Sequence, residues 1–155
     1  MYFTGSWMGG SIVTDAEKPD NFAVAPIPVV NSKNASVTDF MGGGSDTLMV
    51  SANTKNKDLA AAAAFEITRG VSKHAYLSGA GIPAWTVDYD ASSVPALTRQ
   101  VADIAGKASS YTLWFDTLMS SDDAGEYLTL LQSLFAGDLK PEEFAASMDK
   151  QLSKK

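Results

Sequence analysis

The chain has no cysteine and a single histidine, His74, among its 155 residues. The first absence removes disulfides, thiolate nucleophiles, CxxC redox chemistry and cysteine-ligated zinc together. The second rules out a multi-histidine metal site within the chain. A serine–histidine dyad would have to use His74, which lies mid-way along a short predicted helix beside Tyr76 and reads as a surface or packing residue. Positive charge is also sparse: 12 Lys and Arg against 18 Asp and Glu leave a net charge of −6, and the basic residues form no run. A phosphate-backbone binder needs them clustered, so nucleic acid is not expected as a partner. The longest apolar stretches, such as 59–65, are too short and too alanine-rich to span a bilayer. Two further sites are missing. Gly42-Gly43-Gly44 is followed by Ser45-Asp46, where a P-loop requires Gly-Lys-Ser/Thr, and the aspartate would repel phosphate. Asp88 and Asp90 share a loop but lack the third spaced carboxylate of a calcium loop. No cofactor and no metal is expected.

What remains is globular. An apolar content of 45% suits a packed domain, and the length fits one. Met1-Tyr2-Phe3-Thr4-Gly5-Ser6-Trp7 reads as a strand ending in a small-residue turn that carries an exposed type of tryptophan. Its pairing partners can come only from downstream, so the chain is expected to be the C-terminal portion of a larger protein. A short helix start follows, with Gly5, Gly9 and Gly10 holding the backbone close to a neighbour. Residues 14–21 form a loop. Residues 22–30 read as a buried type of strand, which Pro26 and Pro28 place at an edge or end early, and 47–51 as another.

From there the pattern turns helical. Asn56 is positioned to cap an alanine-packed helix over 58–69 with Gly70 as its stop, and Ser72 to cap a second short helix through Leu77. After Gly79 to Pro83, residues 82–87 run extended. Ser93 precedes a helix with Leu97, Val101 and Ile104 at i, i+4, i+7. Residues 111–116 form an aromatic cluster. Asp122 or Asp123 caps a helix that turns Leu128, Leu131 and Phe135 inward and ends at Gly137, and Pro141 starts the last helix, with Phe144, Met148 and Leu152 on one face. The extended passages at 42–49 and 82–87 read as crossings between two packing units.

The order of these pieces is that of a known family. Gly5-Ser6-Trp7, then Ala23-Val24-Ala25-Pro26-Ile27-Pro28, then Gly42-Gly43-Gly44 leading into Leu48-Met49-Val50-Ser51-Ala52-Asn53-Thr54, the alanine-rich helix, Gly81-Ile82-Pro83-Ala84, and Phe135-Ala136-Gly137-Asp138-Leu139-Lys140-Pro141-Glu142-Glu143 follow one another. Over essentially its whole length the chain resembles the C-terminal part of the extracellular solute-binding proteins of carbohydrate ABC transporters, the maltose-binding-protein-like family 1. The resemblance implies an α/β fold of the type II periplasmic-binding-protein class, two-lobed, of which only the C-terminal part is present: few strands, then mostly helices. It implies that 1–42 belong to the C-terminal lobe, that 43–83 return to the N-terminal lobe, and that 84–155 cross the hinge and supply helices of the C-terminal lobe. It also implies a carbohydrate ligand held between lobes, membrane permease subunits as partners, an extracytoplasmic location in the periplasm or on a lipid anchor, and no catalysis. The family often has threonine where this chain has Lys140. Lysine cannot accept a hydrogen bond, so fraying is expected at that helix start.

Sugar recognition combines a flat aromatic against the apolar face of a pyranose with polar groups on its hydroxyls. By the resemblance Trp7 matches the position that stacks on sugar, with lobe packing as its competing role, and the glycines around it leave room for a ligand. Trp114 falls where family members place a second cleft aromatic, with Asp116 beside it either accepting from sugar hydroxyls or solvating a helix start. Main-chain groups of Gly43 and Gly44 border the cleft in the family; Ser45 and Asp46 are weaker candidates. Trp85 is assigned to packing. Two other functions stay open. A non-sugar solute, such as a polyamine or peptide, would use Asp116 and Asp46 with the aromatics. A glycosidase lobe would need two carboxylates across the scissile bond, and Asp88, Asp90 and Asp116 show no pattern that pairs them. Exposed strand edges on a partial fold also predict self-association.

Overall fold

Five α-helices and one pair of short strands make up the regular structure of the residues described, 1–43 and 46–153, in a computed structural model. In chain order these are α1 (Gly9–Asp15), β1 (Asp39–Met41), α2 (Lys57–Ser78), α3 (Ala96–Ala105), β2 (Ser110–Thr112), α4 (Ser121–Ala136) and α5 (Pro141–Leu152). Single 3-10 turns occupy Ser6–Met8, Pro19–Asn21 and Phe115–Leu118. The chain divides into two compact units. Among described residues the first holds 1–40 and 46–111, and the second 41–43 and 112–153.

In the first unit α1 packs against α3, and two glycines set how closely. Gly9 is buried, and a Cβ there would fall on Thr98 Oγ1; one at Gly10 would fall on the Ser78 carbonyl. The approach lets the Gly10 N–H donate to the Gly79 carbonyl at 2.9 Å, fixing the end of α2. The expected role of Gly9 and Gly10 is therefore met by backbone contact. The i, i+4, i+7 reading of α3 also holds: Leu97 is buried and Val101 and Ile104 are half-buried. Val94 and Thr98 complete this core, each almost fully sequestered.

Helix α2 corrects the expectation of two helices. It is continuous over 22 residues, and Gly70 sits inside it with open space around its Cα. An interior glycine costs only about 0.5–1 kcal/mol, too little to stop a helix whose flanking turns are intact. Ser72 is accordingly interior and caps nothing. Asn56 occupies the N-cap position, but it contributes its carbonyl, which accepts from Ala60 N–H at 2.9 Å, and not its side chain. The helix ends at Gly79, where φ is +76° and the N–H groups of Gly79 and Ala80 return to Tyr76 and Ala75. That double return is the Schellman arrangement, and it needs a residue tolerant of the left-handed region.

In the second unit α4 packs on α5. Gly137 ends α4 as expected, at φ +82° with the same pair of returning bonds from Gly137 and Asp138. The N-cap is Ser120, not Asp122 or Asp123: its hydroxyl accepts from Asp123 N–H and donates to Asp123 Oδ2 at 2.7 Å. The packed face of α4 carries Tyr127, Leu130, Leu131 and Leu134. Leu128 and Phe135, expected inward, face solvent, Phe135 with 86% of its surface exposed. Tyr127 meets Phe115 edge-on at 5.6 Å and lies 6.2 Å from Phe144 of α5. On α5 the inward set is Phe144, Met148 and Gln151, while Leu152 is exposed. Gln151 Nε2 donates to the Asp123 carbonyl at 3.0 Å. Lys140 offers no acceptor, but the expected fraying is countered because Glu143 Oε2 takes the Lys140 backbone N–H at 2.9 Å.

The strand expectations fare differently. Residues 1–5, 22–30 and 47–51 are irregular. Val30 is fully exposed and Met49 nearly so. β-forming composition needs a ladder partner, and Pro26 and Pro28 remove two donors from the longest candidate. Among the described residues the one ladder is β1 with β2. Ser109 N–H donates to Thr38 and Gly42 N–H to Thr112, each at 2.9 Å. Both members of the pair rise together in sequence, so the strands are parallel.

The two left-handed helix stops give a paired test. A Cβ at Gly79 would meet Gly10 N at 2.6 Å and Pro95 Cγ at 2.9 Å, whereas nothing lies within 4 Å of one at Gly137. Gly137→Ala should cost about 1 kcal/mol, for φ alone. Gly79→Ala should cost about 2–4 kcal/mol, because steric overlap with the α1 backbone adds to the φ cost. Urea unfolding of the two variants followed by circular dichroism checks the order. Equal losses would contradict the close α1–α2 approach.

Candidate functional site

The expected site residues fall in both units. In the first, Trp7 lies in the 3-10 turn before α1 and is 48% exposed. The room expected beside it is not empty. A side chain at Gly5 would occupy the space of the Trp7 benzo ring, Gly9 receives Thr98, and Gly10 receives Ser78 and Gly79. These glycines let protein atoms approach closely, and the indole stays exposed over its own turn.

In the second unit the structure brings Gly42, Gly43 and Trp114 together. Gly42 and Gly43 have φ of +131° and +145°, the left-handed side open to glycine. A Cβ at Gly42 would lie 3.1 Å from Trp114 Nε1, and one at Gly43 would lie 3.2 Å from Leu113 Cδ2. The glycine pair thus lets the strand end pass under the indole. Trp114 is 38% exposed, and its carbonyl receives Thr117 Oγ1–H and, at 3.1 Å, Thr117 N–H. Asp116 stands half-buried in the first turn of the following 3-10 helix. Gly44 and Ser45 lie outside the described residues. Asp46 and His74 are exposed.

The strand pair that delivers Gly42 and Gly43 is tied by one carboxylate. Asp39 Oδ2 accepts from Ser36 N–H at 2.6 Å, while Oδ1 accepts from Ser110 Oγ at 2.8 Å and Ser109 Oγ at 3.0 Å. The Ser36 N–H first, then the two hydroxyls, hold the Asp39 carboxyl below the usual aspartate value. Asp90 is lowered in the same way by Ser92 N–H and Oγ.

A second feature of the first unit was not anticipated. Between α2 and residues 83–89 lies a groove of about 380 Å³, with Glu66, Arg69 and Lys73 on the helix side and Trp85, Thr86 and Tyr89 opposite. Arg69 Nη2 pairs with Asp88 Oδ2 at 3.3 Å, and its Nη1 stands 3.8 Å from Glu66. Lys73 Nζ lies 4.8 Å from the Tyr89 ring centre. Trp85 meets Phe65 edge-to-face at 5.1 Å and remains 40% exposed. The packing expected of Trp85 is thus only half of its environment. Burial, with Tyr76 and Asp88 adding, raises the Tyr89 phenol above its usual pKa, so it is neutral at physiological pH. The sequence signal for this groove was the aromatic pair in the extended 82–89 passage. What was lacking was the continuity of α2 through Gly70, which brings Arg69 and Lys73 onto one face. A more apolar cavity of about 370 Å³, lined by Tyr76, Ile82, Val87, Ala102 and Tyr111, lies elsewhere in the same unit and shares Pro83 with the first. Among the described residues no three His, Cys, Asp or Glu side chains gather as a metal site would need, and no helix is long and apolar enough to cross a membrane.

No family model and no curated protein matches the chain. It is similar to a solved structure from work on xylan utilization by the thermophilic bacterium Caldanaerobius polysaccharolyticus, at 36% sequence identity and a TM-score of 0.61. The likeness covers 66% of this chain and 27% of that one, so the matched part spans about a quarter of the length of that protein.

The depressed Asp39 pKa makes a pH prediction with a definite sign. A carboxylate favoured in the folded state contributes stability above its unfolded value, and that contribution is lost as pH falls through the folded value. Carbon-detected NMR titration should place the Asp39 carboxyl midpoint below that of an exposed aspartate. Asp39→Asn should remove its share of the acid-side loss of stability and weaken protection of the Ser109 amide from exchange. An ordinary midpoint would show that Ser36, Ser109 and Ser110 do not hold the carboxylate.

Proposed function

We propose that the chain serves carbohydrate handling as the C-terminal portion of a substrate-binding protein of an ABC importer. In this reading it belongs to a two-lobed, type II α/β receptor outside the cytoplasm, which closes over a sugar or oligosaccharide and presents it to membrane permease subunits. The observation that carries the carbohydrate assignment is the 36% identity, at a TM-score of 0.61, to a protein of xylan utilization. The finer assignment to a transport receptor draws on the order of sequence motifs. The stance of the tryptophans supports it: Trp7 and Trp114 are each more than a third exposed and are held by turns and glycines, as rings that stack on sugar must be.

A binding role suits the acids better than hydrolysis. A glycosidase spends two free carboxyl groups on the scissile bond. Here Asp88 is engaged by Arg69, and Asp90 by Ser92, while Asp116 sits in a helical first turn. Phe135, Met49 and Val30 are largely or fully exposed, which supports self-association of the chain when it stands alone.

Isothermal calorimetry with parallel tryptophan emission tests the assignment. Xylo-oligosaccharides should give weak, saturable heat and a change in emission, with spermidine and small peptides silent in the same assay. No response to xylan-derived or other sugars, alongside saturable binding of spermidine or peptide, would overturn it in favour of a non-sugar solute.

A further inference from the structure

The groove along α2 has the chemistry of a saccharide site, and neither Trp7 nor Trp114 is in its lining. On the helix side Glu66, Arg69 and Lys73 recur at i, i+3 and i+7 and so share a face, and the 83–89 segment lies opposite with Trp85 and Tyr89. The cavity of about 380 Å³ falls within the range of small-molecule pockets. Its two acids and two bases cancel, and three of the four are spent on one another through Arg69. Lys73 is set against the Tyr89 ring. A lining of zero net charge selects against phosphates and polyamines.

What remains uncommitted is polar and neutral. Among the described residues no hydrogen bond engages the hydroxyls of Ser72 and Thr86, both in the lining. The Tyr89 hydroxyl is buried without a partner among the described residues, an arrangement that folded proteins ordinarily avoid. Trp85 supplies the flat element. Phe65, meeting it edge-to-face, covers at most one face of the indole, and the residue stays 40% exposed. An apolar ring face beside neutral hydroxyl groups complements a pyranose, which has a C–H face and equatorial hydroxyls.

We propose that the groove between α2 and residues 83–89 is a subsite for a neutral sugar ring, with Trp85 as the stacking platform and Ser72 and Thr86 as hydroxyl contacts. It rests on the carbohydrate reading above and adds to it a site in the first unit. The chain has three tryptophans, so 5-fluorotryptophan labelling gives three fluorine resonances, assigned by single Trp→Phe variants. With xylotetraose as the probe, the Trp85 resonance should shift saturably. Ser72→Ala combined with Thr86→Ala, exposed or half-buried positions whose loss leaves the fold intact, should weaken that isotherm about tenfold. Movement of the Trp7 or Trp114 resonance with Trp85 unmoved overturns the subsite and leaves the carbohydrate reading standing, as does a Trp85 isotherm unchanged in the double variant. No movement of any resonance, with no heat of binding, overturns both.

Discussion

The first unit depends on one close approach: the backbone of α1 against the end of α2 and the start of α3. Gly9 and Gly10 have no Cβ, so a main-chain amide reaches the Gly79 carbonyl and Thr98 fills the space that a side chain would take. Gly79 must itself adopt a left-handed conformation to end α2 there. A helix of 22 residues is thereby pinned at its C-terminus. The chain that leaves it starts from a fixed point, and residues 83–89 return beside α2 to form the groove with Arg69 and Lys73. The pairing of Arg69 with Asp88 spans helix and returning segment. Much of its surface is in water, so it sets register more than it adds stability.

The second unit solves a similar problem with aromatic packing. Phe115, Tyr127 and Phe144 form a chain of tilted and edge-on rings from the 3-10 turn through α4 to α5. Gln151 closes the same layer by donating to the Asp123 carbonyl in the first turn of α4. Fixing the 3-10 turn fixes Trp114 at its start, and the positive φ values of Gly42 and Gly43 let the strand end pass close to the indole. Each exposed tryptophan therefore has a local structural reason for its position.

Helix periodicity and stops were the legible part of the sequence. Leu97, Val101 and Ile104 pack as their spacing implies, and Gly79 and Gly137 break helices because only their backbone bears φ near +80° at little cost. Gly70 misled because an interior glycine looks like a stop in composition yet costs too little to act as one. Leu128 and Phe135 misled for a related reason: α4 has apolar residues around more of its circumference than α5 can cover, and spacing alone does not say which stripe is packed. The strands at 22–30 and 47–51 were the least legible, since a strand is a relation between two segments and neither finds a partner among the described residues. Among the candidate site residues, Trp7 and Trp114 stood out by residue type and turn context. The α2 groove did not, because it needs residues about a dozen or more positions apart, 69–73 and 85–89, brought opposite each other by a helix end that sequence placed too early.

In the α2 groove the hydroxyl-bearing residues Ser72 and Thr86 share a lining with the exposed Trp85 indole, the arrangement proposed above for a sugar ring. The direct measurement is saturation-transfer difference NMR with a xylo-oligosaccharide, which reads contact from the sugar's side. The account predicts transfer strongest at the ring C–H protons of the face that stacks on indole, with competition by excess unlabelled oligosaccharide of the same linkage. Absence of transfer to any xylo-oligosaccharide, together with clear transfer to a polyamine or peptide, would contradict it.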